Sequence, residues 1–298
     1  MKPASFRYFR PDTLDEALTL LAEHAGDAKP LAGGQSLVPA MNFRIAQPAV
    51  LVDLNRVTAL ASVARSDDGG LRVGGMTRHR VLEHSPVVRE AAPLVAEAMP
   101  FVAHPPIRTR GTLGGSLAHA DPAAELPAVM LALGASLVLQ SRTGTRTLAA
   151  ADFFLGLYAT ALEPDELVTE VVVPPQASRT GWAIDEVARR HGDYALAGVA
   201  AEITLDSGGS VASARIALFS VHDRSVLAPK AAGALVGARP TDEAIRAAAS
   251  AAARHDADPS PDIHASAAYR RHLVEVLTRR VVRRAADRAR YGAGASRT

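Results

Sequence analysis

The sequence predicts an α+β fold in more than one domain, and three observations carry that reading. Short apolar runs bounded by turn residues alternate with segments whose apolar residues recur every three or four positions. At 298 residues the chain is long for one domain and comfortable for two or three, with enough length to bury a core without disulfides or metals. A Pro/Ser/Thr/Gly cluster, PPQASRTG from Pro174 to Gly181, reads as a linker between regions of different composition.

Residues 1 to about 56 read as a small βαβ unit. Leu14, Leu18 and Leu21 fall at helical spacing behind a cap at Asp12 or Thr13, a short strand runs into Gly33-Gly34, and AVLVDLN from Ala49 reads as a buried strand. From about 57 to 176, strands at LRVGG, ASLVLQS and ELVTEVVVP alternate with helices at SPVVREAAPLVAEAM and ELPAVMLALG. From 177 to 290, VAAEITLDSGGSVASARIALFSV reads as a hairpin turning at Ser207-Gly208-Gly209, followed by Ala-rich helix and a tail at 291–298.

Composition excludes several classes. The chain has no cysteine, which removes a disulfide framework, a thiolate zinc site and any iron–sulfur cluster held by this polypeptide. The N-terminus lacks an apolar signal region, and the longest apolar stretch, from Ala128, is interrupted by Gly134 and Ser136 and too short to span a bilayer. A soluble, cytoplasmic protein is expected. The net charge of +2 gives no reason to expect nucleic acid, but it is unevenly spread: nine arginines from Arg270 onward face only Glu275 and Asp287. That basic segment reads as a solvated helix end or as a contact surface for an acidic partner.

The chemistry concentrates in two glycine pairs. Ala32, Gly33, Gly34, Gln35 and Ser36, running on to Leu37, and Thr112, Leu113, Gly114, Gly115 and Ser116 are similar stretches, each offering five backbone N–H donors in its first five residues. Adjacent glycines let amides converge on one point with no Cβ in the way, a geometry suited to phosphate oxygens, and two such loops suit a pyrophosphate gripped from both sides. Taken singly, either pair is better explained as a tight turn. There is no GxxxxGK[ST] loop and no GxGxxG fingerprint; Ser116 is followed by Leu-Ala, which breaks a GxSxG elbow; and no HExxH pair occurs. His119 and Asp121 lack a third nearby ligand and make a weak metal motif.

The stretches LAGGQSLVPAMNFR, VGGMTRH, RGTLGGSLAHADPAAELPAVM, HGDYALAG and DIHASAAYRRHLVEVLTRR occur in this order between Ser5 and Arg284. Together they resemble the FAD-binding medium subunit of the molybdenum hydroxylases, the xanthine dehydrogenase and carbon monoxide dehydrogenase family. The resemblance implies a two-subdomain FAD-binding fold of the PCMH type over 1–176, followed by a small antiparallel sheet with helices. It implies that Ala32 to Leu37 and Thr112 to Ser116 hold the FAD pyrophosphate through backbone amides. It places Glu125 near the ribityl and ribose hydroxyls, where a helix N-terminal charge is the competing explanation, and Tyr194 against the isoalloxazine ring, where core packing competes. Gln35 stands where typical carbon monoxide dehydrogenases have histidine, and Asn42-Phe43 where Lys-Leu is usual; both argue against carbon monoxide as substrate and leave FAD binding untouched.

By the same resemblance, the chain passes electrons from two [2Fe-2S] clusters in a small subunit, through FAD, to an external acceptor. Substrate is oxidised at a molybdenum–pterin centre in a large subunit, and the assembly is a dimer of heterotrimers. No catalytic residue and no metal are expected in this chain. The competing readings are a stand-alone flavoenzyme reductase of the same superfold and a non-redox nucleotide-binding or assembly protein.

Overall fold

The computed structural model describes residues 2–291, so the expected tail lies, Tyr291 apart, outside the described residues. The first unit is a parallel three-stranded sheet of β1 (Arg7–Phe9), β2 (Ala28–Leu31) and β3 (Val50–Asp53), with β3 in the middle and buried along its whole length. The helix Leu14–Glu23 crosses between β1 and β2. Thr13 is its cap: the side chain accepts from the Glu16 amide while Glu16 reaches back to the Thr13 amide, closing a capping box. Ala17, Leu18 and Leu21 are the face it buries.

The second unit is an antiparallel sheet. Along the chain come β4 (Val63–Arg65), β5 (Leu71–Gly74), β6 (Ser136–Ser141), β7 (Gly144–Ala149), a separate small hairpin of β8 (Phe154–Gly156) and β9 (Ala159–Thr160), and β10 (Leu167–Val173). The sheet order is β4-β5-β10-β6-β7. The helical run expected over 85–99 is two helices, Pro86–Ala91 and Pro93–Ala98. Pro93 cannot donate to the ladder, and Ala92 before it leaves the helical region at φ −146°. All nine residues of the helix Glu125–Leu133 are buried, and Gly134 ends it in the left-handed conformation at φ +61°.

The third unit is a four-stranded antiparallel sheet in sequential order: β11 (Thr180–Ala188), β12 (Ala195–Leu205), β13 (Val211–Phe219) and β14 (Val226–Leu227). The expected hairpin is β12–β13. β11, which begins inside the expected linker, was not legible, because its Asp185 and Glu186 interrupt any apolar alternation. The 25-residue helix Ala267–Tyr291 lies on β11 and β12 and buries Leu273, Val274, Leu277, Val281, Val282 and Ala285 at three- and four-residue intervals. The approach is close enough that a Cβ on Gly181 would stand 2.0 Å from the Ala285 carbonyl oxygen.

The arginines of that helix are mostly committed to the chain itself. Buried Arg270 donates to the carbonyls of Leu196 and Ser220 and pairs with Asp262 at 2.6 Å. Arg271 caps the carbonyl of Ala253, Arg283 pairs with Asp242 at 2.9 Å, and Arg284 pairs with Asp185 at 3.4 Å. Arg288 spans two units: it donates to Glu97 of the second unit at 2.5 Å and to the Trp182 carbonyl at 2.6 Å, with its guanidinium 5.5 Å from the centre of the Trp182 ring. Arg279 and Arg280 are exposed, so the basic segment is largely a set of internal clamps rather than the broad contact surface its composition allowed. Arg288→Ala is expected to destabilise the fold by about 1–3 kcal/mol, because it leaves the half-buried Glu97 with only Arg284, at 4.0 Å, and the Trp182 carbonyl without its donor. Urea unfolding checks this, and a loss below half a kcal/mol would assign the clamp no energetic role.

Candidate functional site: a glycine-walled cleft

β2 ends at Leu31, and the chain turns through Ala32–Ser36 into the short helix Leu37–Asn42. Gly34 makes the turn at φ +74°, in the left-handed region. The amides of Gly33, Gly34, Gln35, Ser36 and Leu37 donate to no protein acceptor, a run of unpaired N–H groups that calls for an anion or water. The Gln35 side chain does not reach outward; its Nε2 donates to the Gly33 carbonyl at 3.0 Å and stiffens the loop. Asn55 holds the other side, donating to the Ala32 carbonyl at 3.0 Å.

The second stretch differs from expectation. It is not a loop: Thr112 caps a helix, Leu113–His119, whose first turn contains both glycines. Four of its five amides are already used. Leu113 donates to the Thr77 carbonyl at 3.0 Å, Gly114 to the Gly75 carbonyl at 2.8 Å, Gly115 to the Thr112 hydroxyl at 3.2 Å and Ser116 to the Thr112 carbonyl at 3.0 Å. The run of unpaired amides is therefore in the first stretch, with the Thr112 amide as the unpaired donor of the second.

What the second stretch provides is close backbone packing. A Cβ on Gly33 would stand 2.4 Å from the Arg110 carbonyl oxygen, and one on Gly115 would stand 2.7 Å from Thr112 Oγ1 and 3.3 Å from the Ala32 Cβ. On Gly114 it would meet the Gly75 backbone at 2.8 Å, and on Gly75 the Val168 carbonyl oxygen at 2.0 Å. Gly33 and Gly115 seat the first unit on the second, while Gly114 and Gly75 hold the helix Leu113–His119 against the second unit's own sheet. His79 completes the join. Burial depresses its pKa to about 4, so the ring is neutral; Nε2–H donates to the Thr112 carbonyl at 2.9 Å, and buried Nδ1 has no partner.

The join walls a cleft of about 940 Å3, at the upper end of the range for ligand pockets. Every residue from Ala32 to Leu37 lines it, and Ala32 to Gln35 also face a second hollow of about 320 Å3, walled by Asp53, Asn55 and Arg110. Thr112, Gly114, Gly115 and Ser116 line the cleft; Leu113 does not, because its apolar side chain is packed in the core of the second unit. Glu125 and Tyr194 line it too.

Glu125 opens its helix but is buried, and burial, with Asp121 adding to it, raises its carboxyl to about 7. Behind it Glu186 of β11 is raised to about 8 by burial, then by Glu125 and Asp185, and its Oε2 has no partner. Near neutrality Glu125 therefore offers the cleft a proton donor as well as an acceptor. Tyr194 is exposed at the mouth rather than packed in the core, on a loop from the third unit. Asp193 braces that loop, accepting from Arg189 at 3.0 Å and from the Tyr194 amide at 3.0 Å. Gly192, at φ +77°, lies so close to His104 that a Cβ would be 2.6 Å from the ring.

Sequence reasoning missed Tyr158. It sits at φ +53°, its ring 5.1 Å from that of His119 and its hydroxyl donating to Asp121 at 3.4 Å. His119 and Asp121 thus form part of the cleft wall, and no group of three metal-ligating side chains occurs among the described residues.

A run of unpaired amides beside a cleft of this size fits a pyrophosphate-bridged dinucleotide, and comparison with known proteins gives the same class. Residues 4–176 match the family model described as the FAD binding domain in molybdopterin dehydrogenase, and residues 182–285 the CO dehydrogenase flavoprotein C-terminal domain. The chain belongs to this family of FAD-binding flavoproteins, and its cofactor is FAD. It is 43% identical over 290 residues to the 6-hydroxypseudooxynicotine dehydrogenase complex subunit alpha of Paenarthrobacter nicotinovorans, covering 97% of each chain. To the carbon monoxide dehydrogenase medium chain of Hydrogenophaga pseudoflava it is 39% identical over 282 residues, covering 95% of this chain and 97% of that one. Its fold is similar to the solved carbon monoxide dehydrogenase from H. pseudoflava, with a TM-score of 0.92 at 40% identity over 96% of this chain and 98% of that one.

Two outcomes are expected. Gly34→Val should lose FAD retention while the protein still folds, because the loop conformation and the amide run are disturbed at a site whose would-be Cβ meets only the side chains of Val38 and Leu31. Gly114→Val should impair folding itself, because it drives a side chain into the Gly75 backbone. Flavin content of soluble protein separates the two; an intact, flavin-loaded Gly114→Val protein would contradict the packing role. The second outcome concerns pH. Glu125 holds its proton more tightly folded than unfolded, so the folded chain binds more protons between about pH 4.5 and 7, and the stability gained below that window is lost as pH rises through it. Because Glu186 and His79 add pH dependence of their own in this window, the check is a difference: between pH 5 and pH 8 the parent should lose on the order of 3 kcal/mol more unfolding free energy than Glu125→Gln in urea titrations.

Proposed function

We propose that this chain is the FAD-carrying, electron-transferring medium subunit of a molybdenum hydroxylase complex. The observation that carries the reading is the run of unpaired amides from Gly33 to Leu37, seated by the Thr112–Ser116 turn at the wall of the cleft. Bound FAD supplies the redox chemistry, accepting electrons and releasing them to an acceptor. The chain's own part is binding and orientation. The Gly33–Leu37 amides hold the pyrophosphate, Glu125 meets the hydroxyls of the sugar chains, and Tyr194 offers an aromatic face to the ring. The FAD-binding part extends over 1–176 and the C-terminal domain over 177–290.

The partners in this reading are a small subunit with two [2Fe-2S] clusters and a large subunit with the molybdenum–pterin centre, paired as a dimer of heterotrimers in the cytoplasm. Relatives named as complex subunits, medium chains or medium subunits, matched over almost their whole length, favour this over a stand-alone reductase. No helix of the described residues is long and apolar enough to cross a membrane.

Acid precipitation should release all the flavin, as FAD, and the flavin-free chain should prefer FAD to FMN; flavin left in the pellet or equal affinity for FMN would contradict pyrophosphate recognition. Co-expression with its neighbouring genes should yield a complex containing iron, molybdenum and FAD, in which substrate bleaches the flavin. Turnover by the isolated chain at a rate matching the complex would replace this reading with the stand-alone flavoenzyme.

A further inference from the structure

Each amide of the run from Gly33 to Leu37 shares a rigid trans peptide plane with the carbonyl of the residue before it, and within that plane N–H and C=O point in opposite directions. What a carbonyl accepts therefore decides where the next amide points. The Gly34 carbonyl accepts from the Val38 amide at 3.1 Å and the Ser36 carbonyl from the Ala40 amide at 3.1 Å, so the helix Leu37–Asn42 itself sets the Gln35 and Leu37 amides. Pro39 has no N–H to offer the Gln35 carbonyl. The two glycine amides precede the helix and are set by side chains instead. Gln35 Nε2 donates to the Gly33 carbonyl at 3.0 Å, and Asn55 Nδ2 donates to the Ala32 carbonyl at 3.0 Å.

Asn55 stands on the far side of the loop, in the wall of the smaller hollow with Asp53 and not in the wall of the cleft. A carbonyl drawn toward Asn55 turns the Gly33 N–H the other way, into the cleft. Asn55 is itself held at every polar group of its side chain. Its Nδ2 also donates to Asp53 Oδ1, which accepts the Asn55 backbone amide at 2.9 Å as well, and its Oδ1 accepts from Arg78 of the second unit. A carboxylate on one side and a guanidinium on the other leave the side-chain amide one orientation, nitrogen toward Ala32. The second arm of the Arg78 fork donates to the Arg110 carbonyl, whose oxygen a Cβ on Gly33 would meet at 2.4 Å. Buried Asp53 takes the Tyr8 hydroxyl on its other oxygen. We infer that Asn55, oriented by Asp53 and Arg78, is a positioning residue for cofactor binding that aims the Gly33 amide at the FAD pyrophosphate; the inference rests on the proposed function.

The test uses the full chain loaded with FAD. Asn55→Ala and Asn55→Asp should each release FAD roughly tenfold faster than the parent, followed by the return of flavin fluorescence, the scale of one lost hydrogen bond. Aspartate keeps the shape of asparagine but cannot donate to the Ala32 carbonyl, so parent-like retention by Asn55→Asp would overturn the assignment. The phosphorus NMR signals of the FAD still bound should move in both variants while the visible absorption of the flavin stays as in the parent. Lower stability of the flavin-free chain with unmoved phosphorus signals would assign Asn55 to the fold alone and overturn the assignment too. Where neither Asn55 variant folds, Arg78→Lys, which keeps the charge but cannot fork to Asn55 and Arg110 at once, is read by the same two measurements, with the same expected and contrary results. A parent chain that retains no FAD would contradict the proposed function together with this role for Asn55, whereas a flavin-loaded parent beside an indistinguishable Asn55→Asp contradicts the role alone.

Discussion

The site depends on backbone meeting backbone where side chains would ordinarily keep the units apart. Gly33 of the first unit rests on Arg110 and Gly111 of the second, and within the second unit Gly114 rests on Gly75 and Gly75 on Val168, each at a separation that no Cβ tolerates. Because these contacts are made by atoms that cannot change rotamer, the first loop is fixed relative to the helix Leu113–His119 by covalent geometry rather than by packing of flexible groups. The amide run of the first loop is then held pointing at a defined place. Neutral His79, bonded to the Thr112 carbonyl, and Thr112, capping the helix, lock the other half of the join. Binding a dinucleotide with little reorganisation follows from that rigidity.

The third unit completes the cleft rather than merely following it. Arg288 ties the long C-terminal helix to Glu97, the Ser220 amide donates to the Pro122 carbonyl at 2.8 Å, and Gly192 nests against His104. These contacts carry the Tyr194 loop across the mouth and bring Glu186 behind Glu125. A buried carboxyl pair without a cation partner stays protonated further up the pH scale than either group alone in water. The cleft wall there thus carries a group able to donate and to accept.

Much of this was legible in the sequence, and the exceptions have physical causes. The glycine pairs announced a close backbone approach, the Leu14, Leu18 and Leu21 spacing gave a helix, and Ser207-Gly208-Gly209 marked the β12–β13 turn. A glycine pair alone, however, does not reveal whether its freedom serves a ligand or a neighbouring chain segment. Gly33-Gly34 belongs to an open loop, whereas Gly114-Gly115 packs within a helix, and only the tertiary partners distinguish them. Leu113 was grouped with the site because of its neighbours, although its apolar side chain belongs to the core. Tyr158 carried no motif, since its role arises from the left-handed backbone and the ring of His119. The arginine-rich helix was read by composition as a solvated end or a contact surface, because, Asp262 apart, the acceptors for Arg270 and Arg288 lie 50 to 191 residues away along the chain.

The central claim is that the two similar glycine stretches have divided roles, the first offering amides to FAD and the second holding that first loop in place. Amide hydrogen exchange with and without FAD tests it most directly. The amides of Gly33 to Leu37 should exchange rapidly in the flavin-free protein and become protected when FAD binds, while those of Leu113 to Ser116 should be protected in both states. Equal FAD-dependent protection of both stretches, or protection confined to the second, would contradict the account.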